Sequence, residues 1–83
     1  MSTTRKSLLH LWRDIAFSMI ENALNGVTDS DERRRVIKED LSPKFRATKP
    51  GGRRQGAKLG VEWAVQEGVI TEEEADPLLK MLE

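Results

Sequence analysis

Between positions 8 and 24 the chain reads LLHLWRDIAFSMIENAL, its longest and most regular apolar pattern. Leu8, Leu9, Trp12, Ile15, Ala16, Met19, Ile20 and Ala23 recur at the i, i+3, i+4, i+7 spacing of one helical face, which calls for an amphipathic helix with a broad buried stripe. A stripe that wide must be covered, so the other segments are constrained to pack around it. Thr3 or Thr4 is placed to cap the helix start, and Asn25-Gly26 to end it, with Gly26 suited to a left-handed position. Phe17 lies roughly opposite the centre of the stripe at about 100° per residue, among His10, Arg13 and Glu21. It meets either another segment of the same chain or a partner surface.

The segments that follow read as further helices. Thr28-Asp29-Ser30-Asp31-Glu32 is a helix start, with cap candidates and acids that favour the positive end of the helix dipole. That helix offers only Val36, Ile37 and Leu41 for burial, and Ser42-Pro43 is expected to stop it and begin one further turn that carries Phe45 inward. Residues 47–53 read as a flexible basic loop. A third helix over residues 53–67 ends at Gly68, and its Gly56, Gly60 and Ala64 recur every four residues. Each glycine inside a helix costs about 1 kcal/mol relative to Ala, so this smooth strip is expected to pack closely on the first helix, with Arg54, Lys58 and Glu62 toward solvent. Thr71 and Glu74 form a capping box, with Ile70 and Ala75 at the positions of a hydrophobic staple. Pro77 is expected to kink or restart the last helix. The expected fold is all-α: residues 1–83 form one small helical bundle of three main helices and one or two short ones. A C-terminal helical hairpin around Gly68 is expected to lie across the first helix.

A chain of 83 residues buries only about 60–65% of the surface its unfolded form exposes, so stability should be modest, and a homodimer is one way to raise it. Without Cys there is no disulfide and no thiolate metal site, which favours a cytoplasmic location. His10, Arg13 and Asp14 interrupt the early apolar run, which is therefore read as neither a signal peptide nor a membrane span.

The formal net charge of zero conceals a segregation along the chain. Residues 1–32 carry three Lys/Arg against five acids, residues 33–58 carry ten against two, and residues 59–83 carry one against seven. Within the basic middle, Arg46, Lys49, Arg53, Arg54 and Lys58 are candidate anion-binding groups, and Gly51-Gly52 precedes a helix start where free amides attract anions. Arg34 and Lys38 extend this surface if the second helix lies beside the loop. Three successive arginines fan through about 200°, so not all of Arg33, Arg34 and Arg35 can face one ligand. Tyr is absent and both Trp fit helix cores, which favours contact with the backbone of duplex or structured nucleic acid over stacking on single strands.

Other chemistry finds little support. Gly51 and Gly56 have the gap of a phosphate-binding P-loop, but Ala57 stands where that motif needs Lys. His10 with Asp14 lacks a nucleophile, and Glu72, Glu73 and Asp76 lack the six or more oxygens of a hard-cation site. The expectation is a non-catalytic binding protein without metal, cofactor, small-molecule substrate or membrane. Its partner is nucleic acid, or the acidic surface of a protein that handles it. The alternative is a protein-binding accessory or inhibitor of phage or plasmid type, with Phe17 on the partner surface.

Overall fold

The computed structural model describes residues 7–83, and over that range the chain is helices and turns without a strand. In order these are α1 (Leu8–Leu24), α2 (Ser30–Val36), a π-helical turn (Ile37–Leu41), α3 (Ser42–Arg46), α4 (Gly52–Gln66) and α5 (Glu72–Met81). The all-α expectation holds. Thr3 and Thr4 lie outside the described residues, and the cap of α1 is Ser7, whose hydroxyl accepts the His10 N–H at 3.2 Å. The helix ends in a type II turn in which Asn25 (φ −60°, ψ 121°) precedes Gly26 at φ 77°, and Val27 N–H donates to the Leu24 carbonyl at 3.0 Å.

α1 and α4 form the main interface, and the glycine strip makes it, as its spacing suggested. A Cβ on Gly56 would overlap the Leu9 carbonyl oxygen and stand 2.8 Å from the Trp12 Cβ. On Gly60 it would overlap the Arg13 carbonyl oxygen and stand 2.8 Å from the Ala16 Cβ. Gly52 faces Leu8 one turn earlier. Residue numbers thus rise together along both helices, which makes them parallel. Parallel neighbours cannot be joined by a tight turn, and α2, the π turn and α3 provide the crossover. They bury Ile37, Leu41 and Phe45 in the same core as Ala16, Ile20, Val61 and Ala64.

Two proline positions depart from expectation. At Ser42-Pro43 the helical path does not stop, and Ser42 is itself helical at φ −57°, ψ −45°. Pro43 has no N–H, and in a regular helix its ring would clash with the carbonyl four residues back. The chain widens there, and Ser42 N–H donates to the Ile37 carbonyl five residues back, an inserted residue of the kind that accommodates such a clash. Pro77 likewise fails to restart α5, which runs unbroken from Glu72 to Met81. Pro77, sixth of the ten helical residues, forfeits its own N–H bond to the Glu73 carbonyl, and buried Ala75, Leu78 and Leu82 hold the helix on the core.

The α4–α5 hairpin turns on Gly68 at φ 75°, with Gly68 N–H donating to Val65 O at 3.1 Å and Val69 N–H to Ala64 O at 2.9 Å, the two bonds of a Schellman ending. The capping box is present, and Ile70 and Ala75 are both buried. Only the α4 arm of the hairpin packs on α1, however. α5 rests on α4 and α3, because the crossover occupies the space beside α1.

Arg33 ties these pieces together. It pairs with both carboxylate oxygens of Glu74 at 3.0 and 3.1 Å and donates to the Val27 and Val69 carbonyls at 2.8 Å each. Both side chains are mostly buried, at 19% and 17% exposure. The Arg33 hydrogen bonds hold the Glu74 carboxyl below its usual range, with help from the Thr71 amide, against burial that pushes it up.

Gly56→Ala and Gly60→Ala should each destabilise the protein by about 1–3 kcal/mol in urea titration, although Ala favours an isolated helix. Because the folded Glu74 pKa is lowered, its contribution is complete above the unfolded value near 4.5 and is lost as pH falls through the folded value. The stability difference between wild type and Glu74→Gln should therefore be full at neutral pH and shrink on acidification below 4.5.

Candidate functional site

Charge pairing divides the described cations into two groups. Arg13, Arg33, Arg34, Arg35 and Lys80 have carboxylate partners, in Asp14, Glu74, Asp31, Glu32 with Glu39, and Asp76 respectively. Lys38, Lys44, Arg46, Lys49, Arg53, Arg54 and Lys58 make no ion pair among the described residues. Arg33–Glu74 is thus the one ion pair among the described residues between the acidic start of α5 and the basic middle of the chain.

Lys44, Lys49 and Arg53 come together around a cleft of about 590 Å³ between α1 and the α3–α4 corner. Its apolar floor is one face of α1, Trp12, Ile15 and Met19, and the turn over residues 47–51 forms its side with Ala47 and Thr48. That turn is tied to α3 and α4 through Thr48: its Oγ1 donates to the Lys44 carbonyl at 3.1 Å, and Arg54 Nε donates to its carbonyl at 3.0 Å. Arg54 thus folds over the turn, where helical spacing had pointed it to solvent. Gly51, at φ 97° and ψ −140°, occupies a region that only glycine visits readily and sets the sharp entry into α4.

The backbone adds to the positive charge. α2 and α5 begin with acids that suit their dipoles, whereas α4 begins with Arg53 and Arg54 and has no acid in its first turn. Cations there oppose a dipole worth roughly half a charge. Because α1 and α4 are parallel and Leu8 meets Gly52, two helix N-termini share this end of the molecule.

The remaining sequence candidates go elsewhere. Arg34, Lys38 and Arg46 line a separate groove of about 610 Å³ against α5, with Ile37, Pro77 and Met81 between them and Glu73 and Glu74 opposite. Lys58 is partly buried farther along α4. Lys44 and Trp12 are the residues that the sequence candidates omitted. Lys44 belongs to the basic middle but stands on α3, and only the packing of the crossover beside α1 brings it to Trp12. Phe17 packs within the chain, its ring stacked on Trp63 at 3.9 Å and 24°, and Arg13 lies 5.4 Å over the same indole.

The His10 ring contacts Ser7 Oγ at 3.0 Å, and Asp14 accepts two hydrogen bonds from Arg13. Among the described residues no cluster of His, Cys, Asp and Glu is placed to hold a metal ion, and no helix is long and apolar enough to cross a membrane. No protein-family model, curated protein or solved structure matches the chain.

Phe17→Ala should remove the stack on Trp63, lower stability by about 2–4 kcal/mol and change the indole emission. Equal unfolding midpoints for variant and wild type would contradict this internal role.

Proposed function

We propose that this chain is a small non-catalytic binding protein that holds nucleic acid by its phosphate backbone. The contact surface is the cationic corner built by α3, the 47–51 turn and the start of α4. The observation that carries the reading is the convergence of Lys44, Lys49 and Arg53, unpaired among the described residues, on one cleft. Arginines at a helix N-terminus work against stability, and an anion laid across them would reverse that penalty while gaining the free amides of the first turn. Arg46, which lines the other groove, and Lys58, farther along α4, lie outside this contact surface. Contacts of this kind position a strand without reading its bases, so sequence preference is expected to be slight.

The overall neutrality of the chain does not oppose this reading, because no acid lies between Asp40 and Glu62 in the sequence or lines the cationic cleft. A second reading, a protein-binding accessory or inhibitor of phage or plasmid type, draws on the other groove. There Ile37, Pro77 and Met81 offer apolar contact between charged walls.

Fluorescence anisotropy between about 50 and 200 mM salt separates the two. Lys49→Ala/Arg53→Ala should weaken binding to every nucleic-acid sequence alike and reduce the slope of log K against log salt by about 2. Arg34→Ala/Lys38→Ala should leave both unchanged. Arg54 is kept intact because it anchors the turn. Undiminished affinity in the Lys49/Arg53 variant would overturn the assignment.

A further inference from the structure

We infer that the cleft between α1 and the α3–α4 corner takes an unpaired nucleotide of a single strand, its base against Trp12 and its phosphates on Lys44, Lys49 and Arg53. The inference rests on the backbone-binding reading and narrows it to single-stranded DNA or RNA.

The two tryptophans are in different situations. Trp63 is engaged within the chain by Phe17 and Arg13. Trp12 has no ring partner among the described residues, stays partly exposed and lines the cleft beside the cations. Its Cβ packs against the Gly56 backbone, which roots the side chain at the α1–α4 seam beside the cleft. An indole next to a cationic rim is the combination that single-strand binders use: stacking accepts any base, and the cations follow the backbone.

The chemistry of the cleft matches a nucleotide better than a bare phosphate chain. Duplex backbone presents charge and sugar with its bases stacked out of reach, and it would leave Trp12, Ile15 and Met19 uncovered. An unpaired nucleotide carries a flat apolar face about one sugar away from its phosphate, so one ligand covers the floor and neutralises the rim. A volume of about 590 Å³ suits ligand-sized groups, which need about 300–1,000 Å³. This reverses the preference drawn from aromatic scarcity alone, in which both tryptophans were assigned to the core.

The test compares three probes of about 15 nucleotides: oligo-dT, an abasic strand with the same phosphates, and a blunt duplex. Oligo-dT should bind at least about tenfold more tightly than either of the others, and it should quench Trp12 emission in a Trp63→Phe background. Trp12→Leu should weaken oligo-dT binding by roughly 5- to 150-fold, to the level of the abasic strand, while Trp12→Phe retains most of it. The abasic comparison needs no variant, so a Trp12 substitution that fails to fold does not remove the test. Equal binding of oligo-dT and the abasic strand would overturn base stacking. The backbone reading would survive that result if Lys49→Ala/Arg53→Ala still weakened all probes. No binding by any strand at about 50 mM salt would overturn both. Trp12-dependent capture of an acidic amphipathic peptide in place of the strands would assign the cleft to a protein partner and overturn them equally.

Discussion

The close approach of two helix backbones at Gly56 and Gly60 is the contact on which the rest of this structure depends. Van der Waals packing at that distance requires the absence of a Cβ, since either added atom would overlap a carbonyl oxygen of α1. It also sets direction. With α4 running the same way as α1, the intervening chain has to return along the full length of the pair, and the crossover of α2, the π turn and α3 does so. The basic middle of the sequence is therefore the return path, and its last residues reach the end of the molecule where both helix N-termini lie.

Charge is distributed with the same logic. Acids occupy the first turns of α2 and α5, where they suit the dipole, and Glu74 in the second of these turns also secures Arg33. That pair closes the molecule at the end where Val27 and Val69 leave their helices, because Arg33 satisfies both carbonyls. The opposite corner is left with cations that have no acid to answer them, and in the proposed function this imbalance is the binding surface.

How much of this was legible in the sequence varies with the range of the interaction. Short-range grammar read well: the Thr71–Glu74 capping box, the left-handed glycines 26 and 68, and the inward turn of Phe45 all follow from residues a few positions apart. The glycine strip correctly named its partner helix, but spacing carries no information on whether two packed helices are parallel, so the whole hairpin was placed across α1 when only α4 packs on it and α5 rests on α4 and α3. Proline was read as a stop at Ser42-Pro43 and as a kink or restart at Pro77. In the first case a widened turn and in the second a well-buried apolar face made continuation the better solution. Arg33 could not be told from Arg34 and Arg35 by sequence, because its partner lies some forty residues away. Trp12 has the same spacing as any core residue, and only the arrival of Lys44, Lys49 and Arg53 beside it makes it a candidate for the site.

The parallel α1–α4 seam also bears on how the chain reaches its fold. In an up-and-down bundle each helix meets its sequence neighbour, and the first contacts form between residues close in the chain. Here the facing pairs, Leu9 with Gly56 and Arg13 with Gly60, are nearly fifty residues apart. The entropy of closing that loop has to be met before the interface gives anything back. This chain should thus fold more slowly than its helical content implies, and a ribosome must release the residues through Gly60 before the central seam can form. Until then the apolar face of α1 has only the crossover to cover it.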